Sequence, residues 1–105
     1  MNTREQKEMR RLLKFEKSKP HILDQGKETE RTVWRLPDGR RHREFGPAVE
    51  SKNRKLQAWY QNGQRHREDG PAVIKVLDNG KVVESYYIRG VPASSEDLLL
   101  FKEIG

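Results

Sequence analysis

The sequence predicts an α+β domain: a twisted antiparallel β-hairpin repeat meander of two to three units, flanked by an N-terminal basic helix and a C-terminal helix. Three observations predict it. Seven residues occur twice, 24 positions apart and with one difference: His42-Arg43-Glu44-Phe45-Gly46-Pro47-Ala48 returns as His66-Arg67-Glu68-Asp69-Gly70-Pro71-Ala72. Fixed-period self-similarity marks a stacked supersecondary unit. Turn signals, Asp38-Gly39 and Asn62-Gly63, stand at equivalent places before the two copies, and an aromatic, Trp34 or Trp59, leads into each. The two ends of the chain are different in kind, charged at the start and apolar at the finish.

At 105 residues the chain is one domain. It divides into a basic N-terminal helix over 1–20, a β-hairpin repeat domain over 21–93 and a C-terminal capping helix over 94–105. Residues 2–18 contain no Gly or Pro and are rich in Lys, Glu, Arg, Gln, Leu and Met, all good helix formers. The apolar stripe is narrow: Met9, Leu12 and Leu13, with Phe15 to one side. Pro20 ends the helix. Such a helix packs weakly on its own domain or lends its stripe to a partner.

The middle reads as strands closed by tight turns. Thr29–Leu36 stops at Pro37-Asp38-Gly39. Lys55–Tyr60 stops at Asn62-Gly63, whose two positions tolerate positive φ. Ala72–Leu77 and Lys81–Ile88 flank Asp78-Asn79-Gly80. Leu23-Asp24-Gln25-Gly26-Lys27 echoes Leu77-Asp78-Asn79-Gly80-Lys81, so a degenerate hairpin is expected to begin near residue 21. Pro47 and Pro71 lack an amide hydrogen and belong at a strand start or edge. Ala48 and Ala72 are small where a bulky aromatic from the next unit would pack. Near the end, Ser94 or Ser95 is the expected N-cap. Glu96 and Asp97 suit the first turn, and Leu98, Leu99, Leu100, Phe101 and Ile104 form an apolar body to cover the last hairpin.

With 32% hydrophobic and 36% charged residues, the core must be thin. There is no cysteine, which excludes disulfides and Cys-based zinc sites. No signal peptide or membrane span is legible, so no membrane association and a cytoplasmic location are expected. The net charge of +6 is uneven: +4 over residues 1–20, +4 over 51–75 and −2 over 76–105. Such a field draws an acidic partner as readily as it keeps a surface soluble.

His42 and His66, with Glu44 and Glu68, have two readings: a metal or acid/base site, or local bonds that fix each turn. The residues recur with the repeat, and no Cys, Asp-x-Asp or His-x-x-x-His spacing accompanies them, so the local reading is preferred. A catalytic group is usually needed once, whereas a group that holds a repeat together is needed in every unit. No catalytic residue, metal ligand or cofactor is assigned. Arg41, Arg43, Arg65 and Arg67 line up as ladders if the units stack. One ladder is expected to pair with Glu44 and Glu68 while the other faces solvent as an anion-binding row, since the guanidinium fork suits phosphate and carboxylate. Trp59, Tyr60, Tyr86 and Tyr87 serve either as stacking platforms or, as preferred here, as the core of a thin sheet.

An aromatic strand, an Asn-Gly or Asp-Gly turn, then His-Arg-Glu-Asp-Gly-Pro-Ala-Val resembles short repeat proteins of bacterial viruses, large DNA viruses and some bacteria, grouped with MORN-type repeats. The ending is similar too, with Tyr86-Tyr87-Ile88-Arg89-Gly90-Val91 followed by Ser95-Glu96-Asp97-Leu98. The resemblance covers residues 29–101. It implies a β-hairpin meander that binds something, with no family-wide catalytic residue. Arg43 and Arg67 stand where the ordinary MORN pattern has Gly, so it does not imply lipid binding.

The expectation is a non-catalytic, protein-binding module, virus-encoded, that modulates a host or viral protein with an acidic surface. Its contact surface would be Met9, Arg10, Arg11, Leu12, Leu13 and Lys14, with the Arg ladder as the second. The alternative is binding of nucleic acid or a phosphorylated nucleotide through Arg41, Arg43, Arg65 and Arg67. An open sheet also leaves edges that a homodimer would cover.

Overall fold

The computed structural model describes residues 16–104, with side chains described as far as residue 100. The candidate contact segment Met9–Lys14 and most of the expected basic helix lie outside the described residues. Where the two overlap, Glu16–Ser18 form no helix and the first strand starts at Lys19. Pro20, expected to stop a helix, instead sits inside this edge strand, where a missing amide hydrogen leaves no ladder broken on the open side.

The order along the chain is β1 (Lys19–Leu23), β2 (Arg31–Arg35), β3 (Val49–Ser51), β4 (Leu56–Ala58), β5 (Tyr60–Gln61), β6 (Gln64–Arg65), β7 (Val73–Val76), β8 (Val82–Ile88), β9 (Val91–Ala93) and α1 (Ser95–Ile104). Seven strands form one antiparallel sheet in the order β1-β2-β3-β4-β7-β8-β9, and β5 and β6 form a separate two-stranded ribbon. The hairpin meander expected from the sequence is therefore present, together with one C-terminal helix.

The repeat can be read off the strand registers. His21 faces Val33, Val49 faces Ala58 and Val73 faces Ser85. The three hairpins β1–β2, β3–β4 and β7–β8 are thus equivalent tiers. Counting back from those pairs, Ser18-Lys19-Pro20 occupies the place of Gly46-Pro47-Ala48 and of Gly70-Pro71-Ala72. Glu16 accordingly stands where Glu44 and Glu68 stand. The degenerate hairpin expected near residue 21 exists and begins two residues earlier, at Lys19.

Between tiers the chain leaves the sheet, makes a short tip, and returns. Trp34 and Trp59 are the points of departure. The Trp34 amide donates to Ala48 O in the sheet at 2.7 Å, while Trp34 O accepts from His42 N at 3.0 Å in the tip. Trp59 repeats this with Ala72 O at 2.7 Å and His66 N at 3.0 Å. This kink explains why the run Lys55–Tyr60, read as one strand, is broken at Trp59. The tips then stack: Gly63 N donates to Arg41 O and Gly90 N to Arg65 O, both at 2.8 Å. Asn62-Gly63 takes φ of 51° and 85°, the left-handed pair that the sequence anticipates.

The core is as thin as the composition requires. Val33, Ala48, Val49, Ala58, Tyr60 and Val73 form it, with Leu23, Trp34, Leu56 and Tyr87 packed at its margin. Ala48 and Ala72 are completely buried. A larger side chain at either would cost about 1–3 kcal/mol in overpacking. At the C-terminus, Ser94 Oγ accepts from Asp97 N at 3.1 Å and Asp97 Oδ2 accepts from Ser94 N at 2.9 Å, a reciprocal cap that makes Ser94 the N-cap. The expected apolar lid is only partly formed: Leu98 is buried, but Leu99 and Leu100 are exposed.

Candidate functional site: the two repeated loops

Each repeated loop, His42–Ala48 and His66–Ala72, uses its residues in the same way. Arginine is the centre. The Arg43 guanidinium carbon lies 4.1 Å from the centroid of the Trp34 ring, and that of Arg67 lies 3.9 Å from Trp59. On the opposite side stands glycine. A Cβ on Gly46 would meet the Arg43 guanidinium at 3.1 Å, and one on Gly70 would meet that of Arg67 at 3.0 Å. Proline closes the arrangement from below, since Arg43 Nη1 donates to Pro47 O and Arg67 Nη1 to Pro71 O, both at 3.1 Å. A side chain at either glycine would press the guanidinium against the Trp face more tightly than ordinary contact allows, and at Gly46 a φ of 141° favours glycine as well. Each cation–π contact adds about 0.5–2 kcal/mol, depending on how dry it is.

Histidine joins tiers. His42 Nδ1 accepts from Asn62 N at 2.9 Å, in the turn of the following tip, and His66 Nδ1 accepts from Arg89 N at the same distance. With Nδ1 accepting, the ring proton belongs on Nε2. There it is donated to Glu44 at 2.9 Å, and in the second loop to Glu68 at 3.3 Å. The preferred local reading of these residues is half of what occurs. Glutamate does orient its own histidine, but the histidine holds the turn of the next unit rather than its own.

The Arg ladders differ from expectation. Glu44 and Glu68 pair with His42 and His66, not with arginine. Arg43 and Arg67 form the inner row already described. Arg41 and Arg65 form the outer one, each reaching forward to the next tier: Arg41 lies 5.4 Å from the Tyr60 ring and Arg65 5.2 Å from that of Tyr87. Arg41 Nη1 donates to Tyr60 Oη at 3.2 Å, and Arg65 Nη1 donates to Tyr87 Oη at 3.3 Å. Burial pushes the Tyr60 hydroxyl up, but the hydrogen bonds from Arg65 and Arg41 outweigh it and hold its pKa below the ordinary tyrosine value. The pKa of Arg65 is raised by the same bond to Tyr60.

One functional group escaped the sequence reading altogether. The Glu16 carboxylate sits on the backbone of the first loop. Its Oε1 accepts from Glu44 N at 2.8 Å and Phe45 N at 3.3 Å, and its Oε2 accepts from Glu44 N at 3.1 Å and Ser18 Oγ at 2.9 Å. Burial raises its pKa, yet the donors at Glu44, Ser18 and Phe45 together prevail and hold it below the ordinary glutamate value. Two successive amides pointing at one anion form a concave nest. In the second loop the equivalent amides, of Glu68 and Asp69, have no hydrogen-bond partner among the described residues. They border an open cleft of about 770 Å³ between the two loops, lined by Arg43, Phe45, Trp59, His66, Arg67 and Asp69 among others.

Among the described residues, no group of three or more His, Asp or Glu is placed to hold a metal ion, and no helix is long and apolar enough to cross a membrane. No family model, curated protein or solved structure matches the chain.

Proposed function

We propose that the chain is a non-catalytic protein-binding module that recognises an acidic protein surface and modulates the protein that carries it. The observation behind this reading is where the repeated polar residues are used. His42, Arg43 and Glu44, like His66, Arg67 and Glu68, engage the stack itself. Residues so engaged hold a scaffold together rather than turn over a substrate. What the scaffold presents outward is an open cleft of mixed charge, bordered by Arg43 and Arg67 and by Glu44, Glu68 and Asp69, with Phe45 at its rim and 46% exposed. The net charge of +6 favours an acidic partner. The resemblance to repeat proteins of bacterial viruses makes a host protein the concrete target, with Met9, Arg10, Arg11, Leu12, Leu13 and Lys14 as one contact surface.

The test is capture of a partner from bacterial lysate by the tagged chain, with and without nuclease. One stoichiometric protein that survives nuclease and is lost on charge reversal of Arg10, Arg11 and Lys14 supports the reading. Capture unaffected by that reversal removes the segment as a contact surface. Recovery of nucleic acid alone, with steep salt dependence, would favour the alternative reading through Arg41, Arg43, Arg65 and Arg67. That alternative draws less support, because all four guanidinium groups already lie on aromatic rings.

A further inference from the structure

The geometry points to a carboxylate-binding slot at the amides of Glu68 and Asp69, filled by a glutamate side chain of an acidic partner segment. This deepens the protein-binding reading and rests on it. The chain itself supplies the precedent. In the first tier the two amides of the same loop hold the carboxylate of Glu16, which the strand registers place one tier before Glu44. The second loop repeats the framework around its amides. Arg67 N donates to Tyr87 O as Arg43 N does to Tyr60 O, Arg67 Nη1 caps Pro71 O as Arg43 caps Pro47 O, and His66 reaches forward as His42 does. The nest is therefore built twice and, among the described residues, filled once.

A glutamate is the indicated ligand because a glutamate occupies the sister nest, within the sequence Glu16-Lys17-Ser18. There Ser18 Oγ donates to the same carboxylate at 2.9 Å, holding it in position for the amides. A partner segment of the form Glu-x-Ser would bring the same internal bond. The second nest is open to such a segment from the cleft that Arg43 and Arg67 border. Three carboxylates line the same cleft and work against the ligand: Glu44 and Glu68, which are turned to His42 and His66, and Asp69, which stands where the first loop has Phe45. The Asp69 carboxylate is turned to Arg67 Nε at 3.1 Å, which offsets much of its charge at the nest.

The probe is the capped tetrapeptide Glu-Lys-Ser-Lys, the sequence of residues 16–19, titrated into the full chain while backbone amide resonances are followed residue by residue. Saturable downfield shifts at Glu68 and Asp69, absent with the Gln-Lys-Ser-Lys peptide, are expected. Asp69→Asn, which removes the charge and keeps an acceptor for Arg67, should tighten binding about threefold. In the Glu16→Ala chain, which has no side-chain acceptor there, the emptied first nest should respond too, at Glu44 and Phe45. A response at Glu44 and Phe45 without one at Glu68 and Asp69 would overturn the proposal. So would equal shifts with the Gln peptide, silence at both loops, or inorganic phosphate moving the two amides at lower concentration than the peptide. None of these failures would touch a partner captured through the N-terminal segment, so loss of the slot and loss of the module reading are separable.

Discussion

The two repeated loops share six of seven residues and the same hydrogen-bond frame, yet they reach electrostatic balance by different routes. In the second loop Asp69 supplies a carboxylate to Arg67 Nε. In the first, Phe45 cannot, and Arg43 Nε is a buried nitrogen without a partner among the described residues. The first loop instead receives its carboxylate from outside, at the backbone, from Glu16. A repeat thus fixes geometry, while one substituted position decides whether a loop is self-contained or must borrow charge. That distinction separates the part of the heptad that is architecture from the part open to recognition.

The largest expected effect breaks the architecture in both loops alike. Trp59→Ala and Trp34→Ala each remove the face on which an arginine lies and the residue at which the chain leaves the sheet. Each should cost about 3 kcal/mol in urea denaturation, the lower end of the range for tryptophan because both rings are only half-buried. A cost below about 1 kcal/mol at either would mean that the stack is ornamental there.

The histidines sharpen the comparison. The His42 side chain is 5% exposed and its Glu44 bond is 2.9 Å, whereas the His66 side chain is 13% exposed with Glu68 at 3.3 Å. His42→Ala strands the Asn62 amide in a drier place. It should cost about 2 kcal/mol, against about 1 kcal/mol for His66→Ala. Protection of the Asn62 amide in hydrogen exchange should fall selectively in the first variant. Equal losses in the two variants would contradict the difference in burial.

Much of this was legible in the sequence, and the parts that were not share a cause. The tiers, the turns at Asp38-Gly39 and Asn62-Gly63, and the cap at Ser94 follow from local rules, and they are where those rules place them. The forward reach of His42 to Asn62 and the Trp–Arg–Gly sandwich depend on how a tip folds over its neighbour, which no spacing encodes. Charge sign and residue type suggested Arg–Glu pairing; the aromatic faces took the arginines instead. Glu16 was hidden because Ser-Lys-Pro replaces Gly-Pro-Ala after it, and because strong helix formers around it outweighed the repeat pattern. The one available signal was the count backward from Pro20, and it has meaning only once the register of β1 on β2 is known.

Glu16 offers a test by pH. Its pKa is held below the ordinary glutamate value in the folded chain. Its contribution is therefore fully present above that ordinary value, and it is lost as pH falls through the lowered, folded-state value. Glu16→Gln should flatten that part of the stability profile and cost about 1 kcal/mol at neutral pH, a figure reduced for a partly solvated group. If the profiles of the two proteins ran parallel through the acid limb, the carboxylate would not be seated on the Glu44 and Phe45 amides.

The smallest effect converts one loop into the other. Phe45→Asp gives Arg43 Nε the partner that Asp69 gives Arg67, but it sets a second carboxylate beside Glu16. The two changes oppose each other, so the single variant should lie within about 0.5 kcal/mol of the parent. In a Glu16→Gln background the repulsion is gone and the new ion pair remains, so Phe45→Asp should stabilise there. The coupling between positions 16 and 45 in the double-mutant cycle should be about 0.5–1 kcal/mol. Additive behaviour would mean that the Phe45 position and the borrowed carboxylate are independent. The contrast between a self-contained and a borrowing loop would then reduce to two unrelated local differences.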